Sequence, residues 1–391
     1  MPTPNRKGAS VGPDASCYQM KLRHLYYDLL TLHGTFWHCR PWCGPRIAQI
    51  NISDNCNLDC TICNHASMGV GGLLDAKNVM TLVDELYRLG TQEVFFHGFG
   101  EPGLHPQLPE MIHHARKQAP QIRQHLITNG TWNSPRLLES ITAGQVNVRF
   151  SLHAGDAESW QQIHPHDDLK FFKQAGKNLL QLTGVAPERV EVLFVICKSN
   201  YKKINEMVAY ASDHGVKRIL FRPMRLFKDR SGQYMNAHLL PNAEEFQEAA
   251  MAVARCQQEL QGHISVQSVP FEQNCFDSAQ GRPSSRAFYL SRSCYIGYVL
   301  TVIERDGSVW GCLPESSDGE SLGNIHEKSF REIWYGRPYE NFRRRQLFLD
   351  KSALDHEGCH SYCQHLDTNI RLNRVHLGRK RGQFAGRGAP E

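Results

Sequence analysis

Between Ile47 and about Arg222, short apolar runs alternate with longer stretches whose apolar residues recur every three or four positions. Runs of the first kind fit strands and stretches of the second fit helices, so their regular alternation predicts βα units around a parallel sheet. The predicted strands are Ile47 to Ile52, Glu93 to His97, Gln124 to Thr128, Val146 to Leu152, Val190 to Ile196 and Lys217 to Phe221. The predicted helices are Ala76 to Leu89, Leu108 to Gln118, Pro135 to Ala143, Leu169 to Leu182 and Ile204 to His214. Six repeats predict an α/β fold with a partial (β/α)6 barrel, not a closed eightfold one. Loops at the C-terminal strand ends then line one mouth and carry the chemistry.

Outside this block the pattern is less regular. Leu22 to Leu32 has the spacing of an amphipathic helix, Pro241 to Leu260 that of a long one, and His263 to Val269 alternates like a strand. Two strand-like runs meet at Asp306-Gly307, a hairpin signal. The expected organisation is an N-terminal extension (1–45), the barrel (46–269), a bridging segment rich in Ser, Gln and Arg (270–292), a small α+β domain (293–370) and a basic tail (371–391).

Composition narrows the class. With 41% hydrophobic residues and no long apolar run, a membrane span is not expected. The first residues, M-P-T-P-N-R-K-G-A-S, lack the apolar core of a signal peptide, which points to the reducing cytosol. Thirteen cysteines there are better explained by metal ligation than by disulfides. A formal charge of +5 is small for 391 residues and carries no nucleic-acid signature. Much of the excess lies in the tail, either a solvated segment or a docking site for an acidic electron donor such as a flavodoxin or ferredoxin.

Cys56, Cys60 and Cys63 form a C-x3-C-x2-C array directly after the first predicted strand. Three such thiolates hold three corners of a compact centre. A four-iron cluster so held leaves one iron open for an amine and carboxylate to chelate. The alternatives are zinc, with His65 as a fourth ligand, or three buried thiols. Cys294, Cys312, Cys359 and Cys363 form a second set of four soft ligands, fitting either zinc or a fully ligated iron-sulfur cluster. Cys39 and Cys43 form a further C-x3-C pair and are expected to be unligated.

The first array resembles the signature of the radical S-adenosylmethionine (SAM) superfamily, with Ile62 at the variable position where an aromatic is commoner. The resemblance implies a 4Fe-4S cluster on Cys56, Cys60 and Cys63 that reduces SAM to methionine and a 5'-deoxyadenosyl radical. The loop His97 to Gly103 resembles the G-G-E-P motif that holds the SAM amino group, through Gly98, Phe99, Gly100, Glu101 and Pro102. Phe99 stands where the first glycine is usual. Asn129 in I-T-N-G and Ser151 in R-F-S-L-H look like family positions near the cofactor. Read without the family, each of these loops is an ordinary turn or cap. The spacing of Cys294, Gly307 and Cys312, with Leu322 to Ile325 after it, resembles the SPASM and twitch extensions. Only four cysteines follow that pattern, which implies the twitch form with one auxiliary 4Fe-4S cluster.

A fully ligated auxiliary cluster has no iron free for substrate, so it is expected to accept an electron. The leading expectation is therefore dehydrogenation of a small polar substrate, such as a sugar, aminocyclitol or other alcohol. Arg222, held at the mouth by a strand-breaking Pro223, would position the hydroxyl, although a structural ion pair is an equal reading. A rival is an epimerase that returns hydrogen from a thiol, with Cys197, Cys275 and Cys256 as candidates. A third reading is peptide modification, against which the short N-terminal segment counts as too small for a leader-binding domain. A reading of another class is an electron-transfer module, which would have no use for an amine-binding loop.

Overall fold

The computed structural model describes residues 26–27, 29–31, 33–34, 40–63, 65, 71–224, 236–268, 292–312, 321–347, 363 and 365–375. Six strands follow one another in space as they do in sequence: β1 (Ile47–Asn51), β2 (Glu93–His97), β3 (Arg123–Thr128), β4 (Asn147–Ser151), β5 (Val190–Ile196) and β6 (Arg218–Pro223). All pair in parallel with their neighbours. The helices between them are α1 (Ala76–Leu89), α2 (Leu108–Gln118), α3 (Pro135–Ala143), α4 (Ala157–Ile163), α5 (Lys170–Val185) and α6 (Ile204–Asp213). After β6 come α7 (Ala243–Glu259) and β7 (Ser265–Ser268), which adds to β6 in parallel.

Local chemistry sets these boundaries. Asp75 accepts from the backbone of Lys77 and Asn78 to start α1, and Gly90, at φ +90°, ends it. Ser134 caps α3 with Pro135 in the first turn, and Asn242 with Glu245 closes a capping box on α7. The inner stripe of α1, Val79, Leu82, Val83 and Leu86, is buried in the same core as Ile50, Phe96, Phe150 and Phe194 of the strands. Truncating one of these phenylalanines to alanine would cost about 3–5 kcal/mol.

Two features differ from the sequence pattern. The expected small domain is not separate from the sheet: β8 (Leu300–Ile303) pairs in parallel with β1, and β9 (Val309–Trp310) closes an antiparallel hairpin at that edge. The sheet therefore has nine strands, in the order β7-β6-β5-β4-β3-β2-β1-β8-β9. Pro223 also does not break β6. It lies within the strand opposite Ile196, and the next ladder bond passes from Met224 N to the Ile196 carbonyl at 2.9 Å. Arg222 is thus a strand residue, paired in register with Val195.

Four further helices follow β7: α8 (Ile296–Val299), α9 (Phe330–Trp334), α10 (Arg337–Leu347) and α11 (Leu366–Val375). Among the described residues no helix is long and apolar enough to cross a membrane. Cys39, Cys275 and Cys359, and most of the bridging segment and basic tail, lie outside the described residues.

Candidate functional site

The site is built at the C-terminal ends of β1, β2 and β3. Beyond β1 the chain runs beside the loop after β2, with Gly100 N donating to the Ser53 carbonyl at 3.0 Å and Glu101 N to the Asn55 carbonyl at 2.7 Å. This approach explains both glycines. A Cβ on Gly98 would lie 2.1 Å from the Ser53 oxygen, and one on Gly100 would lie 2.1 Å from the Asn55 oxygen. The polar segment Ser53 to Asn55 is thereby fixed immediately before Cys56.

Cys56 and Cys60 are partly buried and Cys63 is exposed. A turn bond from Cys63 N to the Cys60 carbonyl, at 3.0 Å, draws the array together. Burial pushes the Cys56 thiol up to about 11, with Glu101 and Cys63 adding to the shift, while backbone N–H groups of Leu58 and Asn57 favour its thiolate. Cys60 is raised well above the usual thiol range by burial, then by the charges of Cys63 and Cys56. The three sulfurs therefore sense one another and would repel as thiolates, which is the donor set a cationic metal centre neutralises. His65 Nε2 donates to the Asp54 carbonyl at 2.7 Å, so it is engaged away from the thiols and is a poor fourth zinc ligand. Among the described residues, no three His, Cys, Asp or Glu side chains are grouped for a single ion, and a cluster instead takes one thiolate per corner iron.

Glu101 is buried beneath the array. Its carboxylate accepts from Thr128 Oγ1, Asn129 N and Gly103 N at 2.5 to 2.7 Å. Burial raises its pKa to about 7 despite these three donors. A carboxylate offers about four lone-pair sites, so two are used in joining the loop after β2 to the end of β3, a third within that loop, and one is left for an ammonium. Asn129 bridges differently: its Nδ2 donates to Asn57 Oδ1 at 3.1 Å, while Asn57 Nδ2 donates to Thr131 Oγ1 at 2.8 Å. The expected cofactor residue Asn129 thus holds the cysteine loop directly. Asn57, Thr128 and Thr131 were not singled out in the sequence, where only their neighbours in motifs gave a signal.

A cavity of about 360 Å³ opens beside Cys56, lined also by Asn57, Asp59, His65, His164 and Phe171. Thr61 N donates to the Ile163 carbonyl at 2.9 Å, tying the cysteine loop to the end of α4. His164 stacks on Trp160, 3.8 Å between ring centres, and burial lowers its pKa to about 4, so it is neutral there. Asp167 accepts from Trp160 Nε1 at 2.6 Å and from the first turn of α5, which fixes the cavity wall.

The remaining expected residues fall in two places. Ile62 and Cys197 share a small buried apolar cluster with Ile163 and Met224, against which Cys60 packs. Cys197 is 0% exposed and its thiol is pushed up by burial, so it stays protonated but does not line the cavity. Ser151 and Arg222 occupy the C-terminal parts of β4 and β6 and are half-buried.

Of the second cysteine set, Cys294, Cys312 and Cys363 are described, and Cys294 is held between α10 and α11. Cys294 N donates to the Gln346 carbonyl at 3.1 Å, and Asn369 Nδ2 lies 3.5 Å from Cys294 Sγ, an N–H aimed at a sulfur. Gly311, next to Cys312, allows contact with Phe342, where a Cβ would come within 2.2 Å of the ring. Cys363 lies three residues before the helix that carries Asn369 and packs on the main core. These thiols, with a polar donor at one sulfur, fit an iron-sulfur centre. Cys43 has another role: its carbonyl accepts from Trp334 Nε1 at 2.9 Å, and its thiol lies 3.3 Å from Thr31 Oγ1.

Three cysteines on the loop after β1 of a parallel partial barrel, followed by a second cysteine set, offer thiol donors for two separate metal centres. Residues 50–224 match the Radical SAM superfamily, and residues 294–365 match SPASM, an iron-sulfur cluster-binding domain. The chain is a radical SAM enzyme with a C-terminal SPASM-type domain. With these domains go a 4Fe-4S cluster each and SAM. It is 24% identical to a PqqA peptide cyclase of Xanthomonas campestris pv. campestris (strain 8004) over 335 residues, 82% of this chain and 83% of that one. Among solved structures it is similar to Streptococcus suis SuiB bound to precursor peptide SuiA, with TM-score 0.61, 15% identity, and coverage of 87% and 74% of the two chains. It is also similar to native anSMEcpe with bound AdoMet and Cp18Cys peptide, with TM-score 0.59, 18% identity, and coverage of 85% and 98%. Both structural likenesses show the fold.

Proposed function

We propose that this enzyme modifies a peptide, forming a cross-link or ring by removing hydrogen from an unactivated carbon. The observation that carries this reading is the similarity to PqqA peptide cyclase, which extends through both domains over 335 residues. It favours the peptide alternative over dehydrogenation of a sugar, aminocyclitol or other alcohol, and over epimerisation. The shortness of the N-terminal segment is no longer an argument against a peptide.

When bound, the first cluster and SAM supply a 5'-deoxyadenosyl radical. Cys56, Cys60 and Cys63 would hold the cluster, with Asn57 and Asn129 keeping their loop in place. Glu101 would accept one ammonium hydrogen bond from SAM at its remaining lone pair, and the flanking glycine backbone would lie alongside. Ile62 would pack behind the cysteine loop, while Ser151 and Arg222 would face substrate or cofactor from β4 and β6. The cavity beside Cys56 would admit the reacting side chain, with neutral His164 and Phe171 excluding water. Cys294, Cys312, Cys359 and Cys363 would hold the auxiliary cluster as the acceptor of the electron released on closing the new bond. A small electron-transfer protein such as a flavodoxin or ferredoxin would reduce the first cluster.

The test is anaerobic reconstitution with dithionite and SAM, assayed against short peptides encoded beside the gene and against a panel of sugars and aminocyclitols. The expected result is 5'-deoxyadenosine release that depends on one peptide, whose product is lighter by two hydrogens. A carbonyl product from an alcohol would restore dehydrogenation. Solvent deuterium incorporated without mass loss would restore epimerisation.

A further inference from the structure

Arg343, on α10, is 0% exposed. Its Nε donates to the Gly297 carbonyl and its Nη2 to the Trp334 carbonyl, both at 2.9 Å. The guanidinium carbon lies 4.2 Å from the ring centre of Trp334, 4.3 Å from that of Tyr339 and 5.6 Å from that of Tyr298. A guanidinium does not deprotonate in a protein, so this is a permanent cation among aromatic faces. Removing such a charge from water costs several kcal/mol.

Its position relates it to the second cysteine set. Gly297, whose carbonyl it binds, lies three residues after Cys294, and Gln346, one turn further along α10, receives the Cys294 N–H. The adjacent Phe342 packs against Gly311, the residue before Cys312. Tyr339 reports both charges: burial raises its hydroxyl pKa most, Arg343 pulls it down and Cys312 pushes it up.

We propose that Arg343 is an electrostatic tuner of the auxiliary cluster, raising its reduction potential so that it accepts an electron. Reduction adds one negative charge to a cluster. A fixed cation nearby, acting through a low-dielectric aromatic shell, favours that form. Arg343 is a positioning residue in this role, because it acts through the peptide segment that bears Cys294, whose Gly297 carbonyl it binds.

The experiment is a redox titration of the anaerobically reconstituted enzyme, followed by electron paramagnetic resonance, for wild type, Arg343→Gln and Arg343→Lys. Both variants lose the guanidinium fork; Gln removes the charge at every pH, and Lys keeps it at low pH and sheds it as pH rises. The auxiliary potential is expected to fall in Arg343→Gln and to fall less in Arg343→Lys, while the first cluster's potential stays in place. Equal shifts in the two variants at the lowest pH that keeps the protein folded, where the lysine is charged, or no shift in either, would overturn the proposal. If Arg343→Gln does not retain its cluster, Arg343→Lys carries the test alone, since a buried lysine sheds its charge readily. Its auxiliary potential should then fall with rising pH where the wild-type value stays level, and a level Arg343→Lys profile would overturn the proposal.

Discussion

Arg305 Nε donates to Asp54 Oδ2 at 2.7 Å, joining the turn of the β8–β9 hairpin to the segment two residues before Cys56. Asn51 completes the clamp, with its Nδ2 donating to Asp54 Oδ1 at 2.9 Å and to Glu304 Oε2 at 2.8 Å. The cluster-bearing loop therefore rests on the unit that carries the second cysteine set.

Arg305→Ala removes the cation and leaves a largely buried acceptor, a loss of about 1–3 kcal/mol. Arg305→Lys should recover part of it, because the charge returns without the fork. Urea unfolding of both variants measures this. Iron content of reconstituted protein should fall in the same order, Arg305→Ala below Arg305→Lys.

Gly98 and Gly100 are needed for space. Alanine at either position would force the Ser53 to Asn55 backbone away, since each Cβ would meet a carbonyl oxygen at 2.1 Å. Gly100→Ala is expected to lose about 1–3 kcal/mol of stability and at least tenfold in 5'-deoxyadenosine release, because it displaces the backbone nearest Cys56. Gly262→Ala is a control for the loss of a glycine's freedom: its φ is +86° but nothing lies within 4 Å of its Cβ, so stability falls and SAM cleavage does not.

Much of this arrangement is legible in the chain. The helices Ala76–Leu89, Leu108–Gln118 and Pro135–Ala143 end where their apolar stripes and caps predict. The three-cysteine array and the G-F-G-E-P loop come together because they follow neighbouring strands β1 and β2. What is not legible depends on contacts distant in sequence. Nothing local shows that Leu300–Ile303 pairs with Ile47–Ile50, some 250 residues earlier. Asn57 and Thr131 gain meaning only when Asn129 lies between them. Arg343 looks like an ordinary member of a basic R-R-R run until the fold buries it.

Glu101→Gln is not a conservative change here. Three donors converge on the carboxylate, Thr128 Oγ1 and Gly103 N on one oxygen and Asn129 N on the other. An amide oxygen can serve one side only, so its NH₂ must oppose an N–H or O–H on the other. A loss of about 1–3 kcal/mol follows from the unmatched donor, together with weaker SAM binding. Thermal melting gives the first, and equilibrium dialysis with labelled SAM gives the second. Unchanged melting would place Glu101 outside the joint between β2 and β3.

Three histidines make acid cost stability before any ordinary carboxylate titrates. Glu101 contributes the opposite way: at about 7 it takes up its proton in the fold first and so favours the fold as pH falls. His97 and His153 are pushed down to about 4 and about 3, mainly by burial, and His164 to about 4, again chiefly by burial. Each stays neutral in the fold and takes up a proton in the unfolded chain near pH 6.5. Between about 4 and 6.5 the unfolded state binds more protons at these histidines, so their contribution to stability rises with pH across that window and is lost as pH falls through it. At pH 5 the loss is at most on the order of 2 kcal/mol per histidine. Glu93 does not interfere: burial raises it, but bonds from His125 and Arg123 overcome this and hold it at about 2, so its contribution disappears only below the ordinary carboxylate range. His153 offers the clean variant, because it sits at φ +62° with Nδ1 accepting from Val195 N at 3.1 Å. Asparagine tolerates that backbone and keeps an acceptor without a titrating group. Urea midpoints at pH 8 and pH 5 should therefore differ less in His153→Asn than in the wild type. An equal difference in both would mean that His153 binds its proton within the fold.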